Sequence, residues 1–188
     1  MFSLINGLPA HALLVHGVVV LVPLAALLIV VAALWPAARR RLGLATPVLA
    51  VVALLSVPPA KEAGEWLERH VPSSPLVEEH AGRGDAVLPW VLGLAVVACA
   101  TWVVGVAADR RRHDAGVEEP GPIVRVQALV ARAVPGWAAG TAALAVAAVV
   151  AVAVSAGAVA AVYQAGDSGA RAVWQGEVST TSHGGDGD

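Results

Sequence analysis

Charge, aromatic rings and cysteine are all scarce in this chain, and each scarcity removes a class of protein. Only 14% of its 188 residues are charged, where a soluble domain carries about 25%. A disordered, charge-rich chain is therefore excluded. With 12 Lys+Arg against 14 Asp+Glu, no net field recruits nucleic acid. The single cysteine, Cys99, can close no internal disulfide, which removes the disulfide-stapled secreted domains; inside its apolar run it reads as a small packing residue. The sequence also has no Gly-rich phosphate loop, no paired-cysteine zinc motif and no His-Glu-x-x-His helix, so it carries no recognisable enzyme signature. Gly166-Asp167-Ser168-Gly169 echoes a protease nucleophile segment, but nothing supplies the rest of such a triad; it reads as a turn after the last helix. Arg83-Gly84-Asp85, the adhesion tripeptide, reads as a chance occurrence in a polar loop.

What the chain has is hydrophobicity, at 57% of residues. The few charges are bunched between four apolar runs: Ala12–Leu34, Leu42–Val57, Ala86–Ala108 and Ala139–Val162. Three of these are 23 or 24 residues long, and 23 residues of helix rise about 34 Å, enough for a hydrocarbon core of about 30 Å. The second is only 16 residues and reaches span length by including Pro58, Pro59 and Ala60. No run alternates as a barrel strand does, so helices are expected, since in lipid the backbone must satisfy its own hydrogen bonds. The first run lacks the basic start and cleavage site of a signal peptide and is read as retained.

The fold class expected is all-α, an integral membrane four-helix bundle with spans at about 12–34, 42–60, 86–108 and 139–162. A short interfacial helix is expected after the second span, over Ala60–Val71, where apolar and charged residues line opposite sides. One domain covers 1–163; residues 164–188 form an extracytoplasmic tail, disordered after about 176. Ser74-Pro75 is an N-cap followed by a first-turn proline and places a helix start there; Pro9 does the same for the first helix. Pro23 and Pro89 are each expected to bend their helix one turn earlier. Ala153, Gly157 and Ala161 mark one face of the fourth run for close helix approach.

Orientation follows from the basic residues. Arg39, Arg40, Arg41, Arg110, Arg111, Arg112, Arg125 and Arg132 fall in two of the connecting segments, leaving Lys61, Arg69, Arg83 and Arg171 for the other side. The arginine-rich segments are expected in the cytoplasm and both termini outside the cell membrane. Trp35, Trp137 and Trp174 fall at predicted boundaries, as interfacial anchors do.

On that topology His11, His16, His70 and His80 share the outer side, while His113 and His183 read as surface residues. Histidine in a span marks function by default, which singles out His16. Five residues turn a helix by about 500°, so the His11 and His16 rings diverge by roughly 140° and cannot share one ion unaided. Depth is a second filter. His80 lies about 9 Å before its apolar run and His16 about 6 Å inside its own, an offset near 15 Å. His11 matches His80 better, and a metal held by His11, His80 and Glu79 or His70 is geometrically easier than a haem deep in the membrane.

His11-Ala12-Leu13-Leu14-Val15-His16, Glu79-His80 and Val162-Tyr163-Gln164-Ala165-Gly166, in this order, resemble the motifs of a bacterial four-helix membrane family catalogued as domain of unknown function 2231. Where that family has His-Pro-x-x-Val-His-Phe-Pro, both prolines and the phenylalanine are absent here. The resemblance implies fold and location, and some relatives joined to Rieske-type domains point toward electron transfer. It carries His11, His16, His80 and Tyr163 as cofactor-binding candidates. The function expected is a small accessory membrane protein that binds haem b or a transition metal through these histidines. It would work in the lipid bilayer beside other membrane subunits or redox proteins. A structural or assembly subunit and a transition-metal carrier at the outer face are the alternatives.

Overall fold

The computed structural model describes residues 4–5, 7–112 and 122–175. The chain opens with two short paired strands, β1 (Leu4–Ile5) and β2 (Leu8–Pro9). Gly7 turns between them at φ 81°, a left-handed conformation that glycine adopts without a Cβ penalty. Among the described residues seven α-helices follow: α1 (Ala10–Leu34), α2 (Pro36–Leu42), α3 (Ala45–Glu68), α4 (Pro75–Asp85), α5 (Val87–Arg112), α6 (Pro122–Ala133) and α7 (Thr141–Trp174), with a 3-10 turn over Gly136–Ala139 before α7. Four helical segments are long and apolar enough to cross a membrane: α1, α3, α4 continued by α5, and α7. The molecule is an all-α bundle with the character of a multi-pass membrane protein.

The four long helices form a ring in which α1 packs on α3 and α7, and α5 packs on the same two from the opposite corner. The core is narrow because its residues are small. Val22 and Ile29 of α1, Ala50 and Ala53 of α3, Val91 and Leu94 of α5, and Ala151 and Ala158 of α7 are almost fully buried. Their spacing of three or seven residues keeps each set on one helix face. Close approach follows from the alanines, and Ser155 donates across it to the Ala26 carbonyl at 3.4 Å. Of the face marked in advance by Ala153, Gly157 and Ala161, Ala161 is buried in the core and Gly157 receives the Trp90 indole of α5, which any Cβ there would strike, while Ala153 is exposed. The buried α7 residues are Ala151, Ser155, Ala158, Ala161, Val162 and Ser168.

Three boundaries differ from the hydropathy reading. The Ala60–Val71 segment is helical, but α3 runs unbroken through Pro58 and Pro59 to Glu68, and the separate short helix is α4. The fourth helix continues 12 residues past Val162, so Gly166–Gly169 lies inside α7 and not in a turn or tail. The amphipathic α6, which hydropathy passed over, lies between α5 and the 3-10 turn. Two expected features are present. Ser74 caps α4, accepting from the Val77 amide at 3.3 Å with Pro75 in the first turn. Helices α4 and α5 separate at Ala86, one turn before Pro89, whose missing N–H leaves the Asp85 carbonyl without its helical donor. Residues beyond 175, and His113, lie outside the described residues.

The two ends of the bundle are chemically distinct. At one end Arg39 of α2 is buried and bonds Asp109 of α5 at 2.9 Å, with Arg40 at 3.7 Å from the same carboxylate. Gly105 makes room for the Arg39 side chain, which a Cβ there would overlap. The other end holds the histidines.

Candidate functional site

His11 stands in the first turn of α1, just after Pro9, and its ring turns toward α3. Nδ1 lies 2.9 Å from the Ala60 carbonyl oxygen. A carbonyl only accepts, so Nδ1 carries the proton and donates, and in the neutral ring Nε2 keeps its lone pair. His80 repeats the arrangement from the middle of α4. Its Nδ1 lies 3.1 Å from the Ala165 carbonyl and 3.3 Å from Ser168 Oγ, while Ser168 itself donates to Ala165 at 3.0 Å. Both rings are half-buried. Their centroids are 6.0 Å apart, with the planes at 73°.

Two glycines seat the pair. A Cβ at Gly64 would lie 2.9 Å from His11 Cε1, and one at Gly169 would lie 2.9 Å from His80 Cε1. Each glycine sits inside a helix, where it costs about 1 kcal/mol against alanine, and here each is the surface on which an imidazole rests. Salt bridges and hydrogen bonds fasten the surrounding helices. Lys61 reaches Asp85 at 3.0 Å and ties α3 to the end of α4; Arg83 donates to Gln164 and ties α4 to α7. Arg83-Gly84-Asp85 is thus held in the last turn of α4 and is no open adhesion loop.

The remaining candidates are not brought to this pair. His16 is exposed on another face of α1 and bonds the Ala12 carbonyl of its own helix. Tyr163 is 72% exposed. His70 stacks on Trp66 at 4.0 Å and bonds that residue's carbonyl. Glu79 is exposed and faces Arg83 at 3.8 Å. Among the described residues no three or more His, Cys, Asp or Glu side chains converge as for a metal ion, so the set His11, His80, His70 and Glu79 is not assembled.

Sequence reasoning found the two histidines and missed their supports: the carbonyls of Ala60 and Ala165, the hydroxyl of Ser168, and Gly64 and Gly169. The glycines were the available signal. A glycine within a helical pattern calls for a packing reason, and each lies opposite a histidine once the helices are paired. Comparison with protein-family models, with curated proteins and with solved structures finds no match.

Proposed function

We propose that the protein binds a haem b between His11 and His80 and serves electron transfer as an accessory membrane subunit. The observation that carries this reading is the fixed tautomer of both rings. Each donates Nδ1–H to a backbone carbonyl, the outer-shell arrangement of a histidine whose Nε2 binds a metal. A bare ion needs three or four protein ligands, and only two side chains converge among the described residues. A porphyrin brings four nitrogens of its own, so two histidines suffice. Were a haem bound here, His11 and His80 would hold it through Nε2, and the 6.0 Å between their ring centres leaves the two imidazoles near enough to serve one iron.

When bound, haem supplies a one-electron couple. The chain's own part is to hold both rings at one level, to fix the nitrogen each presents, and to keep the ligand helices from drifting through the Lys61–Asp85 and Arg83–Gln164 ties. The excess of arginine at the opposite end supports placing this site on the extracytoplasmic side of the cell membrane, with both termini there.

A reduced-minus-oxidised visible spectrum of detergent-purified protein, expressed with haem available, tests the reading. Wild type and His16→Ala should give the sharp bands of six-coordinate b-type haem. His11→Ala and His80→Ala should lose them while keeping the helical circular dichroism signal. A featureless spectrum from folded wild type overturns the proposal.

A further inference from the structure

Helix α6 is too short to span a membrane, and its level in the molecule decides what surrounds it. It packs Ala131 and Val134 against Ala107 and Ala108 of α5, beside Leu144 of α7. Ala108 ends the third apolar run, and Asp109 and Arg110 follow at once. Charges of this kind are expensive inside hydrocarbon, so α6 sits where α5 leaves the lipid. Trp137, 81% exposed between α6 and α7, lies on the same short connection, and tryptophan is enriched at the membrane–water boundary.

The sequence of α6 divides its surface three ways. At about 100° per residue, the packing residues Ala131 and Val134 lie roughly 60° apart. Val126, Leu129 and Ala133 fill a second sector of about the same width. All three are exposed, Val126 at 50% and Leu129 at 64%. Arg125 and Arg132, also exposed, share a third sector about 80° further round. A turn about the helix axis thus meets the bundle, then bare hydrocarbon, then arginine. The helix contains no acid.

From this division we infer that α6 lies in the plane of the membrane surface at the arginine end, seated on phospholipid. Val126, Leu129 and Ala133 enter the boundary of the acyl chains, and Arg132, with Arg125 on the same side, faces the headgroup phosphates. An apolar sector edged by arginine is the pattern of a helix at that depth, and the long arginine stem lets the charge rise while its apolar neighbours sink. Lipid is the occupant because the helix is fixed at the level where the spans end, and because phosphate complements a helix with arginine and no acid.

Electron paramagnetic resonance of the full chain in vesicles of phosphatidylcholine and phosphatidylglycerol tests this. Cys99, exposed and outside the core, is first removed by Cys99→Ala. A nitroxide is then placed singly through Val126→Cys, Leu129→Cys, Ala133→Cys or Arg132→Cys. Val149→Cys, at a position 70% exposed midway along the fourth apolar run, gives the value for hydrocarbon. Oxygen concentrates in lipid and a nickel chelate in water, so the ratio of the two accessibilities reads depth. Positions 126, 129 and 133 should approach the Val149 value and exceed position 132 several-fold. A chelate that reaches all four α6 positions alike places the helix in water and overturns the inference. Exclusion of both reagents at 129 with spin–spin broadening also overturns it, since a second copy of the chain would then cover the face. Every label stands on an exposed position, so a variant that folds poorly leaves the others to decide.

Discussion

At the arginine end, α2 is fastened to α5 by a buried charge pair, Arg39 on Asp109 at 2.9 Å; at the histidine end, α1 and α4 are fastened to α3 and α7 by imidazoles donating to main-chain carbonyls. Each histidine–carbonyl bond contributes about 1 kcal/mol net, far less than a buried charge pair costs when one partner is lost. The weaker fastening has a different advantage. An imidazole has two nitrogens, so using one as an anchor leaves the other free to bind, whereas Arg39 and Asp109 are turned on each other and Arg39 Nε is shut against Gly105. One end of the bundle is built to stay closed. The other leaves each imidazole one nitrogen that its anchor does not use.

The sharpest break in this comparison is Asp109→Ala. It strands the buried Arg39 guanidinium, and removing one partner of such a pair costs about 3–5 kcal/mol. The unfolding midpoint in detergent should fall steeply, while Arg39→Met/Asp109→Leu, which removes both charges, should recover most of the loss. A single variant that unfolds within about 1 kcal/mol of wild type would mean that the carboxylate is not holding α2, and the contrast between the ends would collapse. The histidine end should respond oppositely. His80→Ala removes one modest bond and should shift the midpoint little, yet it should eliminate the site.

A subtler perturbation separates the seating of the rings from the helices that carry them. Gly169→Ala gains about 1 kcal/mol of helix propensity but sets a methyl 2.9 Å from His80 Cε1, and crowding of this kind costs about 1–3 kcal/mol. The net is a loss of no more than about 2 kcal/mol in stability, but at the site the effect is direct: the ring must move off Ala165. Gly64→Ala should do the same to His11. Gly82→Ala is the comparison, because a Cβ there meets nothing within 4 Å; it should stabilise α4 by up to about 1 kcal/mol and leave the imidazole signals unmoved. Nitrogen chemical shifts of the two rings read the difference directly. Identical spectra for Gly169→Ala and Gly82→Ala would remove the glycine seat from the account.

What the sequence revealed, and what it hid, divides along the same line between lipid and water. Hydropathy reports where a helix touches hydrocarbon, so the four apolar runs were visible and the ends of their helices were not. Helix α3 continues through Pro58 and Pro59 to Glu68, and α7 continues from Val162 to Trp174, because helical hydrogen bonding does not stop where contact with hydrocarbon does. The site lies in this overhang, on Ala60, Gly64, Ala165, Ser168 and Gly169. Depth arithmetic still brought His11 and His80 to one level, since rise per residue holds on either side of the boundary. Pairing a histidine with its glycine required knowing which helices are neighbours. The Ala153-Gly157-Ala161 pattern was only partly right for that reason: Ala161 is buried and Gly157 admits Trp90 of α5, but Ala153 is exposed.

The mildest test acts on α4 alone. This helix buries none of its residues, so its start depends on local chemistry more than on packing, and Ser74 accepting from the Val77 amide is the chief part of it. Ser74→Ala removes an N-cap and should cost about 1 kcal/mol. Because α4 is held from outside the core, the loss should remain local. Amide hydrogen exchange should quicken across residues 75–85, the His80 ring should lose definition, and the Arg39–Asp109 end should exchange as in wild type. Faster exchange at both ends would mean that the bundle opens as one unit. In that case the histidine end would owe its order to the whole fold, and not to the cap, the two glycines and the carbonyls that surround it.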